Sequence, residues 1–195
     1  MFLGDSITFG VGNGLDGGYA GTLCRDTRLI RPIGTILHTM DPSTGPGYDH
    51  CEGHSGFTSI DITNGIASYI AAVGAPDIVL YNIGANDGFG TTPNQVPDNM
   101  ALTFATLKAA NPNVVMLMAC PQCPPRSDNP FYGAWVTGAP VLAARIATIP
   151  GIVACPVGVG ITDADMFDGL HPGPSGYAKM AAAWAATLRS LKIVI

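Results

Sequence analysis

Short apolar runs that alternate with longer stretches of helical periodicity constrain this chain of 195 residues more than any other feature. The runs at 77–83, 113–120 and 151–155 each follow a proline, Pro76, Pro112 or Pro150, which stops the helical pattern before it. Runs at 1–4 and 34–38 bring the expected strands to five, and helical patterns occupy 19–29, 59–73, 96–110, 134–149 and 175–191. Such alternation is the signature of βαβ units, whose parallel strands are joined by helices that cover the sheet. Open sheets of this kind bind ligands beyond the carboxyl ends of their strands, so the segments that follow strands are where chemistry is expected.

Two such segments carry the residues of acyl transfer. Gly4-Asp5-Ser6-Ile7-Thr8-Phe9-Gly10 follows the first strand, and Asp168-Gly169-Leu170-His171-Pro172 follows the last. A serine hydroxyl is a weak nucleophile near neutral pH and needs an imidazole to take its proton and an acid to hold that imidazole in the right tautomer. Asp168 and His171 are three positions apart, close enough for one turn of helix or a tight loop to join them; Ser6 must be delivered by the fold. Alone, a serine in a Gly-Asp-Ser string is a turn residue and a histidine beside proline a loop residue.

Two more turns strengthen the functional reading. Gly53-His54-Ser55-Gly56-Phe57-Thr58 and Asn82-Ile83-Gly84-Ala85-Asn86-Asp87-Gly88 both look like sharp bends at strand ends. An unobstructed backbone N–H at one and an asparagine amide at the other are the donors an oxyanion hole requires. Asp5, Asp61, Asp87 and Asp163 are read as caps, turn residues or solvated charges, although Asp163 and Asp165 lie near enough to compete with Asp168 for the imidazole.

Taken together, these four blocks resemble those of the GDSL or SGNH hydrolases, in order and over nearly the whole chain, with Ile7 standing where the family name has leucine. The resemblance implies that Ser6 is the nucleophile and that Ser6, Gly56 and Asn86 form the oxyanion hole. It also implies that His171 is the general base, oriented by Asp168. The expected fold is a single three-layer α/β/α domain over 1–195 with a five-stranded parallel sheet of flavodoxin-like order 2-1-3-4-5. Gly17-Gly18-Tyr19 and Asp49-His50-Cys51-Glu52-Gly53-His54-Ser55-Gly56-Phe57 look most like the carbohydrate esterase branch that contains acetylxylan esterases, with Cys51 as an interruption. The implied activity is hydrolysis of short-chain esters, first among them carbohydrate O-acetyl groups such as those of xylan. A short-chain carboxylesterase or arylesterase, a lysophospholipase or thioesterase, and a non-catalytic carbohydrate-binding module remain the alternatives. No cofactor is implied.

The aromatics Phe57, Phe89, Phe131, Tyr132 and Trp135 stand near these turns and are candidates to face a sugar ring or acyl chain. Each one alone packs into a core more often than it lines a pocket. The polar, proline-rich stretches at 41–49 and 123–130 read as loops over the catalytic edge.

Composition narrows the partners. With 9 Lys+Arg against 14 Asp+Glu and a net charge of −5, the chain lacks the positive surface a nucleic acid demands. No apolar run reaches the roughly 18 residues of a membrane span, so a small-molecule or carbohydrate ester is the expected partner. The start Met1-Phe2-Leu3-Gly4 has no basic or long apolar leader, which decides little, since a mature domain cut from a secreted precursor would also begin directly at its first strand. A secreted or extracellular location is expected, with a cytoplasmic one left open. The first strand is short, about three residues. Five cysteines leave at least one unpaired; Cys120-Pro121-Gln122-Cys123 closes a strand and runs into Pro124-Pro125, so it reads as a structural bridge or two idle thiols and not a redox motif. No metal site is expected, because zinc-ligand spacing and a calcium-loop pattern are both missing. Gly12, Gly14 and Gly17 match a dinucleotide fingerprint, but that motif must follow a strand directly, and Gly-Asp-Ser-Ile-Thr-Phe intervenes.

Overall fold

The computed structural model describes residues 1–14, 17–27, 30–38, 47–87 and 95–193. The loop reading at 41–49 falls largely outside them, and so does Phe89. In chain order the elements are β1 (Phe2–Gly4), α1 (Ser6–Phe9), α2 (Gly18–Thr27), β2 (Ile36–Leu37), β3 (His50–Gly53) and α3 (Ser59–Val73). They continue with β4 (Ile78–Asn82), α4 (Gln95–Ala110), β5 (Val115–Ala119), α5 (Tyr132–Ile146), β6 (Ile152–Cys155) and α6 (Pro174–Ser190).

One sheet of order β2-β3-β1-β4-β5-β6 forms the middle layer. Its five parallel strands, β3-β1-β4-β5-β6, have the expected order, and β2 adds an antiparallel edge through Ile36↔Cys51 and Leu37↔His50. Helices α2 and α6 pack together on one face, while α3, α4 and α5 pack in succession on the other. The central strands β4, IVLYN, and β5, VMLMA, are buried after their first residue, as parallel strands covered on both faces must be.

One strand departs from the sequence expectation. The run at 34–38 supplies only the two-residue antiparallel edge, and the parallel neighbour of β1 is β3, whose sequence is His-Cys-Glu-Gly. Polar residues hid it. Glu52 is nonetheless wholly buried, because its carboxylate accepts the Thr35 N–H, the Thr35 hydroxyl at 3.1 Å and a bond from His54 Nε2 at 2.8 Å.

Packing around β1 holds the site end of the sheet. The buried stripe of α6, with Tyr177, Met180, Ala181, Trp184 and Leu188, has helical spacing. Trp184 lies on Tyr19 of α2 with ring centroids 5.9 Å apart, and Tyr19 meets Phe2 edge-on at 6.1 Å. Gly4 makes close strand approach possible: a Cβ there would lie 1.9 Å from the Asn82 carbonyl oxygen, and its φ of +156° disfavours any side chain.

Asp5 caps α1, accepting the Ile7 N–H at 2.9 Å. It is fully enclosed, and burial pushes its carboxyl up to about 7, opposed by the Ile7 and Ala85 amides and reinforced by the Asp87 charge. An unfolded Asp releases its proton near pH 4. The folded chain therefore binds more protons between about pH 4 and 7, and the Asp5 contribution makes stability fall as pH rises across that window. Asp5→Asn removes this dependence, so urea unfolding at several pH values should show the variant gaining on the parent by on the order of 1 kcal/mol per pH unit. Parallel stability curves would mean that Asp5 ionises as it does in water.

Candidate active site

Asp168 and His171 share a tight loop held by the aspartate itself. After a short 3-10 turn, Asp163–Asp165, the backbone pairs Met166 with Pro172 in an antiparallel bridge, and the Phe167 N–H donates to the His171 carbonyl at 2.8 Å. Within that loop Asp168 Oδ1 accepts the Leu170 and His171 N–H groups at 2.7 and 2.6 Å, a turn built by an aspartate on its own backbone. Its other oxygen, Oδ2, lies 2.9 Å from His171 Nδ1. Burial raises the Asp168 carboxyl, but the backbone and side-chain donors of His171 and the Leu170 N–H outweigh it and hold the group below the ordinary carboxylate range. It is an anion at neutral pH, as an acceptor for Nδ1–H must be.

Across the loop, His171 Nε2 stands 2.8 Å from Ser6 Oγ, completing a continuous relay over 165 positions of sequence. Ser6 opens α1 directly after β1 and is 6% exposed. The two halves are joined by α6, which returns over α2 and bonds the Tyr177 hydroxyl to the Val11 carbonyl at 2.7 Å. A second brace comes from the 123–130 loop: the Arg126 N–H and the Asn129 amide both donate to the Gly169 carbonyl, at 3.1 and 2.9 Å.

The competing acids are occupied elsewhere. Asp163 accepts the Ser127 N–H and hydroxyl at 3.2 and 2.7 Å. Asp165 accepts Lys179 Nζ at 2.6 Å and Ser175 Oγ at 2.9 Å, tying the 3-10 turn to α6. Of the three, Asp168 is the one bonded to the imidazole.

The Gly56 and Asn86 turns lie beside Ser6 because their strands flank β1: Gly4 is in register with Gly53 on one side and Asn82 on the other. The His54 N–H extends the ladder to the Gly4 carbonyl at 2.9 Å, and the Phe57 N–H closes a turn on the His54 carbonyl at 3.1 Å, with Gly56 inside it at φ +82°. Asn86 is exposed, and its side-chain amide donates to the Phe57 carbonyl at 2.8 Å. The next residue, Asp87, anchors that loop by accepting the Ser59 N–H at 2.9 and 3.0 Å and the Ser59 hydroxyl. The Asn86 amide is therefore tied to Phe57, the residue that follows Gly56.

The aromatic candidates divide. Tyr132 is 36% exposed and Phe131 51% exposed, and Tyr132 borders a cleft of about 500 Å³ with Pro124, Pro125, Ile161 and Met166. Phe57 is half-buried, stacked on His54. Trp135 corrects the sequence expectation: it is 6% exposed within the core, since it falls on the inward stripe of α5 with Leu142 and Ile146. A cavity of about 570 Å³ at Met1, Ile33, Pro76 and Asp77 opens at the amino ends of the strands, the wrong end for Ser6.

Sequence reasoning missed the Glu52–His54 pair, which joins β3 to the Gly56 turn. Its signal was the spacing, because residues i and i+2 of an extended segment share a face. The five cysteines are all buried and unbridged, which settles Cys120 and Cys123 as separate thiols. Burial pushes Cys120 up to about 11 and Cys123 to about 12, so neither carries a thiolate near neutrality. Helix α1 stands between β1 and the glycines at 12, 14 and 17, unlike a dinucleotide fold. Among the described residues no group of three or more His, Cys, Asp and Glu is placed to hold a metal ion, and no helix is long and apolar enough to cross a membrane.

Solved structures share this architecture. A carbohydrate esterase family 3 protein from Talaromyces cellulolyticus superposes with a TM-score of 0.78 at 22% identity, covering 98% of this chain and 96% of that one. A family 3 carbohydrate esterase from Clostridium thermocellum gives 0.74 at 25% identity with the same coverage of 98% and 96%. An acetyl esterase solved with an acetate ion gives 0.76 at 22% identity, again over 98% and 96%. No curated protein matches the sequence significantly. A family model aligns with residues 2–179, a span that takes in the serine turn at one end and the histidine loop at the other, and the chain thus belongs to the GDSL-like lipase/acylhydrolase family.

Proposed function

We propose that this hydrolase is a serine esterase that removes short acyl groups, acetyl foremost, from a carbohydrate such as xylan through an acyl-Ser6 intermediate. The observation that carries the reading is the unbroken relay from Ser6 Oγ to His171 at 2.8 Å and from His171 to Asp168 at 2.9 Å. The acetyl and carbohydrate part draws its support from the likeness to carbohydrate esterase family 3 proteins and to an acetyl esterase.

In this mechanism Ser6 Oγ attacks the ester carbonyl carbon as its proton passes to His171 Nε2, and Asp168 stabilises the imidazolium through Nδ1–H. The carbonyl oxygen becomes an oxyanion, met by the N–H groups of Ser6 and Gly56 and by the Asn86 amide. An asparagine amide has two hydrogens. One is committed to the Phe57 carbonyl, which fixes the amide plane and leaves the other for the oxyanion. The C–O bond then breaks, the alcohol leaves with the proton from His171, and water repeats the sequence to free the acid and regenerate Ser6. All of this uses side chains and amides of the chain itself.

Acetate release from acetylated xylan, measured beside hydrolysis of p-nitrophenyl acetate and longer p-nitrophenyl esters, tests the substrate. Turnover of both acetates, lost in Ser6→Ala and falling with acyl length, is the expected result; cleavage of the aryl esters alone would keep the Ser6 mechanism and discard the sugar. Asp168→Asn should lower kcat about 10,000-fold by unsettling the tautomer of His171. Asn86→Ala should lower it about 100- to 1000-fold with a smaller effect on KM. Full turnover in either variant would remove that residue from its assigned role.

A further inference from the structure

The Gly56 turn has little packing of its own to hold it. Gly56 is exposed, and a Cβ built on it would meet nothing within 4 Å. A donor aimed at a transition state must nevertheless be fixed before reaction, since an amide that reorients on demand contributes little. What restrains the turn lies on either side of Gly56. The His54 carbonyl and the Phe57 N–H close it at 3.1 Å, so these two residues set where Gly56 stands.

Both are restrained by one stack. The His54 ring lies against Phe57 with centroids 4.7 Å apart and planes 13° from parallel. Its other face lies against Tyr69 of α3, at 4.9 Å and 17°. The edge of the same ring is tied through Nε2 to Glu52 at 2.8 Å, and Glu52 is 0% exposed in the sheet. A carboxylate enclosed that completely holds its partners in place, because leaving it unpaired is costly. Phe57 in turn carries the carbonyl that receives the Asn86 amide.

We propose that His54 is a positioning residue of the reaction: gripped by Glu52 and sandwiched between Phe57 and Tyr69, it sets the Gly56 turn and, through the Phe57 carbonyl, the plane of the Asn86 amide. It touches neither substrate nor reacting atoms. This rests on the assignment of Gly56 and Asn86 as oxyanion donors, so the test measures that assignment in parallel.

The variants are His54→Ala, Asn86→Ala and the two combined, each assayed for kcat and KM on p-nitrophenyl acetate. The Glu52→Gln/His54→Ala pair is added so that no carboxylate is stranded should His54→Ala fold poorly. Misplacing a positioned group by about 1 Å commonly costs about 100-fold, so both His54 variants should lose about that much in kcat with little change in KM. The loss should shrink in the Asn86→Ala background, where the amide is already gone, without vanishing, because the Gly56 N–H still depends on the turn that His54 holds. A His54 contribution to folding alone would lower the unfolding midpoint and leave kcat per folded molecule unchanged, which overturns the proposal. Losses that multiply in the combined variant overturn it too, since His54 would then act independently of Asn86. Full turnover in Asn86→Ala would overturn the donor assignment, and the proposal with it.

Discussion

Everything at the site depends on a three-residue strand being hydrogen-bonded on both sides. β1 lies between β3 and β4 in parallel register, with Gly4 level with both Gly53 and Asn82. Parallel neighbours end at the same edge, so the segments that leave these three strands emerge side by side. Ser6, Gly56 and Asn86 lie two to four residues beyond those ends. That closeness requires a residue without a side chain at Gly4, where a Cβ would fall 1.9 Å from the Asn82 oxygen. Gly53 meets a separate demand from α1, where a Cβ would come within 2.4 Å of the Phe9 nitrogen.

Each of the three exits is also secured by a buried carboxyl. Asp5 caps α1 after β1, Glu52 binds Thr35 and His54 in β3, and Asp87 holds the start of α3 after β4. Hydrogen bonds to charged groups contribute about 1.5–3 kcal/mol each, more than neutral ones. They must first offset desolvation, which is visible in the upward push on Asp5 and Asp87. The three carboxyls thereby fix the backbone where it leaves β1, β3 and β4.

The imidazole of His171 arrives by another route. His171 follows β6, three strands from β1 in the sheet, and it reaches Ser6 because α6 crosses back to pack on α2. The apolar contacts of Trp184 and Tyr19 carry that return, with the Tyr177 bond to Val11 as a pin near the serine. A single imidazole–hydroxyl bond is worth too little to fold a loop. The relay is a consequence of helix packing and not its cause.

Residues close in sequence were legible from sequence. The Asp168–His171 turn is local chemistry, and the apolar strands β4 and β5 declared themselves because burial on both faces demands continuous hydrophobic runs. The strand β3 did not, because Glu52 is buried through partners that only folding brings, and Trp135 was misread because the inward side of α5 is set by what it packs on. Local sequence was enough to specify the alternating α/β pattern, the serine turn, and the Asp168–His171 loop with its internal hydrogen bonds, all of which arise from backbone and side-chain interactions within a few residues. Folding across the whole domain was needed for Ser6 and His171 to meet across 165 positions, for the Asn86 amide to reach the Phe57 carbonyl, and for His54 to stand between two rings. Those contacts depend on strand order and helix return, which apolar burial across the whole domain selects and no short stretch of sequence encodes.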